Sequence, residues 1–557
     1  MTKINTPLRR FISLLKIEKT DILQIFYYAL FSGIVSLSLP LGIQAIINLI
    51  QGAQISTSWI VLVALVTIGV IFSGTLQLMQ LRIIENIQQR IFTGASFELS
   101  YRFPKIKMTD LRNHYPPELA NRFFDTITIQ KGLSKILIDI PHAFLQIIFA
   151  LTLLSFYHPF FILFGVLLLM LVYFVFKFTA KKGLKTSLEE SKNKYKVAHW
   201  IQEIARVMVT LKLSGKTQLA LNKNDQLVEQ YLISREKHFK VLILQFIQMI
   251  SFKVLTTAGL LIIGGALVLN QEMNIGQFVA AEIIILLVIT SVEKLILGLE
   301  TFYDVLTSVE KLGQVVDKEL ESQSGDTPNF KDGILIEFDE ISYRVPNKEK
   351  SILENISFQI KPKSRTIIQG ESGAGKSTLL RMISGIIERT SGNIYINNAV
   401  LQSINLNHYR SHLGLSLSEE SPFEGTLKEN ITLGNQAVSD KKIHGALKKV
   451  GLMPFLRELP NGLQTLLQPD GKELSQIIAK KIVLARAFVC EPKVLILEDA
   501  LDSFNQKETN EIIDFLTHED NPWALIVVSS NKRWARNCEQ IITLEKGEIK
   551  NIKQSSC

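Results

Sequence analysis

The sequence predicts two fused parts, an all-α membrane half of six helices followed by an α/β domain built on a parallel sheet. Three observations carry this expectation. Long apolar runs crowd the chain up to about Leu312, an ordinary soluble composition takes over beyond it, and a glycine-rich loop, Gly370-Glu-Ser-Gly-Ala-Gly-Lys-Ser-Thr378, joins an apolar strand to a helix. At 557 residues the chain has room for several domains.

Six runs qualify as membrane helices by length and apolarity: Ile22–Ile50, Trp59–Leu81, Leu137–Phe156, Phe160–Phe178, Val254–Leu269 and Phe278–Leu297. Asp139, Pro141 and His142 stand near the start of the third. Six runs so poor in charge are not the pattern of a buried soluble helical core. Lys and Arg are absent from Gln51–Ser58, Tyr157–Pro159 and Asn270–Gly276, yet frequent in Lys181–Lys240 and at Lys3, Arg9, Arg10, Lys16 and Lys19. The excess of positive charge on cytoplasmic loops then places both termini and both long loops inside, in a multi-pass protein of the cytoplasmic (inner) membrane. That asymmetry accounts for the net charge of +9, so no nucleic-acid partner is required. The first apolar run begins late and is long enough to span, which predicts no cleavable signal. The basic stretch Thr6–Lys19 suits either contact with lipids of the inner leaflet or a solvated lead-in helix. Cys490, Cys538 and Cys557 show no paired spacing, and a cytosolic placement predicts reduced, structural thiols.

Between the runs lie two long excursions of helical pattern, Arg82–Lys135 and Lys181–Lys253. Arms of roughly 20 residues would reach about 30 Å below the membrane at about 1.5 Å per residue. Breaks at Pro104, Pro116-Pro117 and Ser214-Gly215 mark their tips, where a short helix can contact a cytoplasmic domain or simply stay solvated. Residues 1–315 form the membrane domain. The polar segment 316–333, with Glu319, Glu321, Gly325, Asp326 and Pro328, reads as a linker, and residues 334–557 form the second domain. There, strand patterns at Ile334–Phe338, Ile356–Ile360, Thr366–Gln369, Val494–Leu497 and Ala524–Val528 predict the sheet.

The loop carries the chemistry. Gly370, Gly375, Lys376 and Ser377 occupy the defining positions of G-x-x-x-x-G-K-S, with Glu371, Ser372, Gly373 and Ala374 between them and Thr378 after. Glycines let backbone N–H groups face phosphate oxygens, and the N-terminus of the following helix adds a favourable partial charge. Lys376 is expected to reach the β- and γ-phosphates and the Ser377 hydroxyl to ligate Mg²⁺, so the ligands predicted are ATP and Mg²⁺.

With six spans, two long internal arms and a C-terminal phosphate-loop domain, the chain resembles ATP-binding cassette exporters over about Ile22–Lys550. It is most similar to half-transporters of the haemolysin or bacteriocin secretion type without their N-terminal peptidase domain. Asn274-Ile-Gly-Gln-Phe278, and Glu203 with Thr210-Leu-Lys212 and Gly215, are local matches. The resemblance implies a membrane exporter domain followed by an α/β ATPase domain. Two chains would pair, most simply as a homodimer, and ATP would lie between the phosphate loop of one and the signature loop of the other. It also implies export of a peptide or protein, with a periplasmic adaptor as a further partner. Export of a lipid or small hydrophobic compound is the runner-up.

Several family motifs depart from their usual form. The signature reads Leu474-Ser475-Gln476-Ile477-Ile478; Ser475 remains as a donor to a γ-phosphate while both glycines are lost. The acidic strand end is reversed as Glu498-Asp499, which implies Glu498 as support for Mg²⁺ and Asp499 as the base for the attacking water. Asp is shorter than Glu by about one C–C bond, roughly 1.5 Å. Ser530 aligns with the switch histidine, Asn505 with the inter-subunit aspartate, and either Glu419 or Ser418 with the Mg²⁺-sensing glutamine. The adenine-stacking aromatic falls at Val345, for which Tyr343 is the substitute expected. These departures leave two readings, a slow but working export ATPase or an ATP-binding regulatory partner. Glu282, inside the sixth run, is read either as a functional group or as one that snorkels to the outer surface.

Overall fold

The computed structural model describes residues 6–51, 57–112, 114–346 and 349–554. Lys3, most of the loop 51–58 and Cys557 lie outside the described residues. The chain divides into two compact units, residues 1–105 with 113–318, and residues 106–112 with 319–557.

The described residues of the first unit are mostly helical. Among the described residues, six helical segments are long and apolar enough to cross a membrane: Lys19–Gln51, Thr57–Lys105, Pro116–Ser155, Phe160–Arg206, Leu219–Leu269 and Ile275–Val316. The first is broken, because helix Lys19–Ser36 ends at Leu37 before helix Ser38–Gln51 begins. Pro40 supplies the cause: it has no N–H, and its ring would clash with the carbonyl four residues earlier, at Ser36. Pro141 is accommodated within the continuous helix Asp125–Ser155. Asn274 opens the last helix with a reciprocal cap. Its side chain accepts from the Gln277 amide at 2.7 Å while the Gln277 side chain accepts from the Asn274 amide at 2.9 Å. This cap is the local reason for the Asn-Ile-Gly-Gln sequence.

Buried polar pairs tie these helices together. Gln80 donates to the Ile25 carbonyl at 2.9 Å, and Gln245 donates to both Thr179 and the Tyr303 hydroxyl at 3.0 Å. Along the spans much of the surface is apolar. In the second span Ile60, Val61, Leu65, Ile68, Ile71 and Leu78 are all exposed. An apolar band of that size suits hydrocarbon and not water. The chain is a multi-pass membrane protein. The expected breaks coincide with helix ends. Pro104 lies in the 3₁₀ turn Phe103–Lys105, Pro116 and Pro117 open helix Pro116–Ala120, and Gly215 (φ +69°) follows the short helix Met208–Leu213.

Among the described residues the second unit holds three sheets. Its strands are β1 (Ile336–Arg344), β2 (Ser351–Ile360), β3 (Arg365–Gly370), β4 (Ser391–Ile396), β5 (Ala399–Val400) and β6 (Leu413–Ser416). They continue with β7 (Gly425–Thr426), β8 (Leu466–Leu467), β9 (Val494–Glu498), β10 (Ala524–Val528), β11 (Gln540–Glu545) and β12 (Glu548–Gln554). The central sheet has the order β12-β11-β3-β10-β9-β6, parallel except for the edge strand β12. Strands β9 and β10 are buried along their whole length, as a parallel sheet covered on both faces requires. The sheet β2-β1-β4-β5 is antiparallel, so the domain is not built on parallel pairing alone. Helix Lys376–Ile383 packs Leu379, Leu380, Met382 and Ile383 into the core beneath that sheet.

Segment 319–333 belongs to this unit. Phe330 is buried in the same core, and Arg410 holds Glu321 through two bonds of 2.5 and 3.0 Å. Segment 106–112 joins it too. Ile106 bridges Leu320, the Lys107 amide donates to the Glu319 carbonyl at 2.9 Å, and Lys107 pairs with Glu319 at 2.7 Å.

Candidate nucleotide site

Parallel pairing brings the predicted residues to one edge of the sheet. Val528 of β10 lies opposite Ile368 of β3 and Glu498 of β9, so the chain leaves all three strands on the same side. The loop 370–375, the pair Glu498-Asp499 and the segment Ser529–Ser530 therefore emerge together, where ligands of such sheets bind.

The loop is shaped by its backbone. Gly370 has φ +153°, and a Cβ there would lie 2.3 Å from the Leu544 carbonyl oxygen of the neighbouring strand β11. Gly373, at φ +84°, faces open space. Ala374 is buried, whereas Glu371, Ser372 and Gly373 are exposed. Gly375 precedes helix Lys376–Ile383, whose first residues are Lys376, Ser377 and Thr378. The Lys376 ammonium donates to the carbonyls of Gly370 at 2.8 Å and Glu371 at 2.9 Å. It thus lies back across the loop with the helix N–H groups beside it. A cradle in which a side chain at Gly370 would not fit, one ammonium and an uncapped helix N-terminus make a donor set suited to a polyphosphate.

The acidic pair occupies two different settings. Glu498 is buried and accepts from the Ser418 hydroxyl at 3.1 Å and the Ser418 amide at 3.3 Å. Asp499 takes φ +46°, a left-handed conformation that Asp adopts more readily than longer side chains. Its amide donates to the Val528 carbonyl at 2.9 Å, and Lys480 donates to its carbonyl at 3.3 Å. Burial pushes the Asp499 carboxyl above the usual range, the charges of Asp502 and Glu498 add to the rise, and Lys376 and Lys480 oppose it. A raised value moves a carboxylate toward the range useful to a general base. With Ser377 on the adjacent helix, Glu498 offers the oxygen donors that a hard divalent cation such as Mg²⁺ takes.

Two expected residues are not brought into this group. Glu419 turns outward, its carboxylate paired with Arg381 at the far end of the loop's own helix. Of the two alternatives left by the sequence, Ser418 is the one that meets Glu498. Tyr343 is the second correction. Its ring is only 5% exposed, it belongs to the core of the antiparallel sheet, and its hydroxyl is bonded by Arg112. A ring so enclosed presents no open face to a base. The cause is the face it occupies: Tyr343 alternates with Ile341 on the buried side of β1 and lies opposite Leu353 of β2 in the same core.

The remaining residues have local roles. Ser475 is exposed and caps helix Gln476–Val489, accepting from the Ile478 amide at 3.3 Å, which leaves its proton available to donate. Asn505 likewise caps helix Gln506–Leu516, accepting from Glu508 at 2.8 Å. Ser530 is exposed just beyond β10. Sequence reasoning missed the roles of Lys480 and Asp502 beside Asp499. Asp502, three residues after Asp499, carried a signal in its spacing; Lys480 carried none for this contact.

Comparison with known proteins accords with this geometry. Residues 22–292 match the ABC transporter transmembrane region and residues 353–502 match the ABC transporter domain. An uncharacterized ABC transporter ATP-binding protein, YfiB of Bacillus subtilis, is 30% identical over 43% of this chain and 42% of its own length. The ATP-dependent lipid A-core flippase of Pseudoalteromonas atlantica is 25% identical over 57% of this chain and 55% of its own. The alpha-hemolysin translocation ATP-binding protein HlyB of Escherichia coli O157:H7 is 30% identical over 55% of this chain and 43% of its own. The chain thus spans about half the length of the curated relatives it matches. The fold is shared with a solved bacterial Atm1-family ABC exporter with ATP bound, at a TM-score of 0.85 and 16% identity over 96% of this chain and 95% of that one. Six apolar spans, a phosphate loop at a parallel sheet edge and matches to both regions in that order lead to one conclusion: the chain belongs to the ABC transporter family, with the transmembrane and ATP-binding domains of a half-transporter.

Proposed function

We propose that this chain is half of an ATP-driven exporter of the cytoplasmic membrane, working as a pair of identical copies with both termini in the cytoplasm. The observation that carries the reading is the meeting of the loop 370–378 with Glu498 and Asp499 at one sheet edge, in a chain that also holds six spans. Gly370, Glu371, Ser372, Gly373, Ala374, Gly375, Lys376, Ser377 and Thr378 bind the ATP phosphates. Ser377 and Glu498 would hold Mg²⁺, which would supply positive charge to offset that of the phosphate oxygens. Asp499 orients and deprotonates the attacking water, and Ser475 and Ser530 approach the γ-phosphate.

Pairing is supported by apolar surface at an arm tip and at the helix that follows Ser475. Met208, Val209, Leu213, Leu219 and Leu221 are exposed at the arm tip around Gly215, and Ile477 is exposed at the signature helix. A second copy is the natural cover for such surface. ATP bound more tightly by the closed pair than by the open one would drive closure, and the arms would transmit it to the spans.

A peptide or protein is the cargo favoured, by the likeness to the alpha-hemolysin translocation protein. A periplasmic adaptor would then be a further partner. The likeness to a lipid A-core flippase supports lipid as the second reading. Reconstituted chain should show slow ATP turnover that is lost in Lys376→Ala and in Asp499→Asn. Turnover untouched by Asp499→Asn would reject that residue as the base. Stimulation by lipid but not by peptide would select the second cargo.

A further inference from the structure

Glu498 and Ser418 form a complementary pair across two strands. The parallel register places Ser416 of β6 opposite Leu497 of β9, so the chain beyond β6 runs beside Glu498. Two residues on, the amide and hydroxyl of Ser418 both donate to the same oxygen, Oε2. The reach depends on length. An aspartate at 498 would end about one C–C bond, roughly 1.5 Å, short of these donors. Conversely, a side chain longer than serine at 418 would have to occupy space the glutamate fills.

The loop bearing Ser418 is itself anchored. The Leu417 amide donates to Glu420 at 3.3 Å, Glu420 pairs with Arg486 at 3.5 Å, and Arg486 donates to the Asn430 carbonyl at 2.7 Å. Asn430 accepts in turn from the Phe423 amide at 2.9 Å. Next to Ser418, Glu419 pairs with Arg381 on the helix that begins with Lys376 and Ser377. One short segment therefore grips both elements that present oxygen donors to a cation, the strand of Glu498 and the helix of Ser377.

We propose that Ser418 is a positioning residue for the metal site: by holding one edge of the Glu498 carboxylate it fixes the other edge for a divalent cation, and Ser418 and Glu498 are matched in length so that neither works well with a different partner. This rests on the nucleotide-site reading above. Partners that orient a metal-ligating carboxylate typically contribute 10- to 100-fold in metal affinity. The backbone amide of Ser418 survives substitution, so the lower end, about tenfold, is expected for Ser418→Ala.

The test is Mn²⁺ binding to the full chain in nanodiscs at saturating ATP, read by electron paramagnetic resonance, with ATP binding in EDTA measured alongside. Ser418→Ala should weaken Mn²⁺ about tenfold and leave metal-free ATP binding unchanged, while Ser418→Thr, which keeps the hydroxyl, should stay near wild type. Glu498→Asp should also weaken Mn²⁺, and Ser418→Gln combined with Glu498→Asp should recover most of the loss. Unchanged Mn²⁺ affinity in Ser418→Ala, or a double variant worse than Glu498→Asp alone, overturns the proposal. Wild-type chain that binds no ATP with or without metal would instead sink the nucleotide site itself.

Discussion

Replacing Gly370 and Gly373 separately by alanine isolates what the loop backbone contributes. At Gly373 the new methyl meets nothing within 4 Å, so only the left-handed φ of +84° is penalised. That costs about 1–2 kcal/mol, or roughly 5- to 30-fold in affinity if the loop must keep its shape to bind. At Gly370 the methyl would sit 2.3 Å from the Leu544 carbonyl oxygen, at a φ of +153° that side chains rarely adopt. Strain of about 1–3 kcal/mol then adds to a forced separation of β11 from β3. A total of at least about 3 kcal/mol follows, more than 100-fold in affinity, with a loss of thermal stability beside it. Labelled-ATP titration of the full chain in nanodiscs, paired with thermal unfolding, reads both terms. Equal losses at the two positions, or a Gly370→Ala chain that binds ATP as wild type does, would refute the assignment of the loop's shape.

Lys376→Ala removes a charged donor worth about 1.5–3 kcal/mol and should weaken ATP binding by roughly 10- to 100-fold in the same titration. Asp499→Asn should lower turnover by on the order of 100-fold or more while ATP still binds. Because burial and the charges of Asp502 and Glu498 raise the Asp499 carboxyl, the acid limb of the rate profile should lie above the ordinary carboxylate range, and Asp502→Asn should move it to lower pH. By the same shift the folded state holds the proton more tightly than the unfolded one, so this group's contribution to stability falls as pH rises from the unfolded value through the folded one. Tyr343→Phe deletes the hydroxyl bonded by Arg112 and should cost about 1 kcal/mol of domain stability without weakening ATP binding. A large loss of ATP affinity there would restore the ring to the base site.

What was legible in the sequence is what depends on spacing alone. The phosphate loop is a backbone shape, and Gly370 to Ser377 declare it because few other residues tolerate that shape. The spans are legible because bilayer thickness sets their length, and the break at Leu37 hid within an apolar run despite Pro40. Tyr343 was misplaced for a different reason. Strand alternation does put Tyr343 on the face of Val345, but it does not say which face is covered, and that one packs into the core with Ile341. Ser418 and Glu419 were indistinguishable because a one-residue gap exchanges them, and only the register of β6 against β9 decides which side chain reaches Glu498. The reversal of Glu498 and Asp499 looked like damage in sequence. In the structure the longer acid reaches a short partner, and the shorter one sits where the backbone is left-handed.

The most direct test is the distance between two copies of the ATP-binding domain. Cys490 is exposed and Cys538 buried, so with Cys557→Ser a spin label can be confined to Cys490. In nanodiscs, with Asp499→Asn to slow turnover, Mg·ATP should shift the inter-label distances to a shorter, narrower distribution, and Lys376→Ala should abolish the shift. A distribution that ATP leaves unchanged, or the absence of any dipolar signal from a second copy, would contradict ATP-driven pairing.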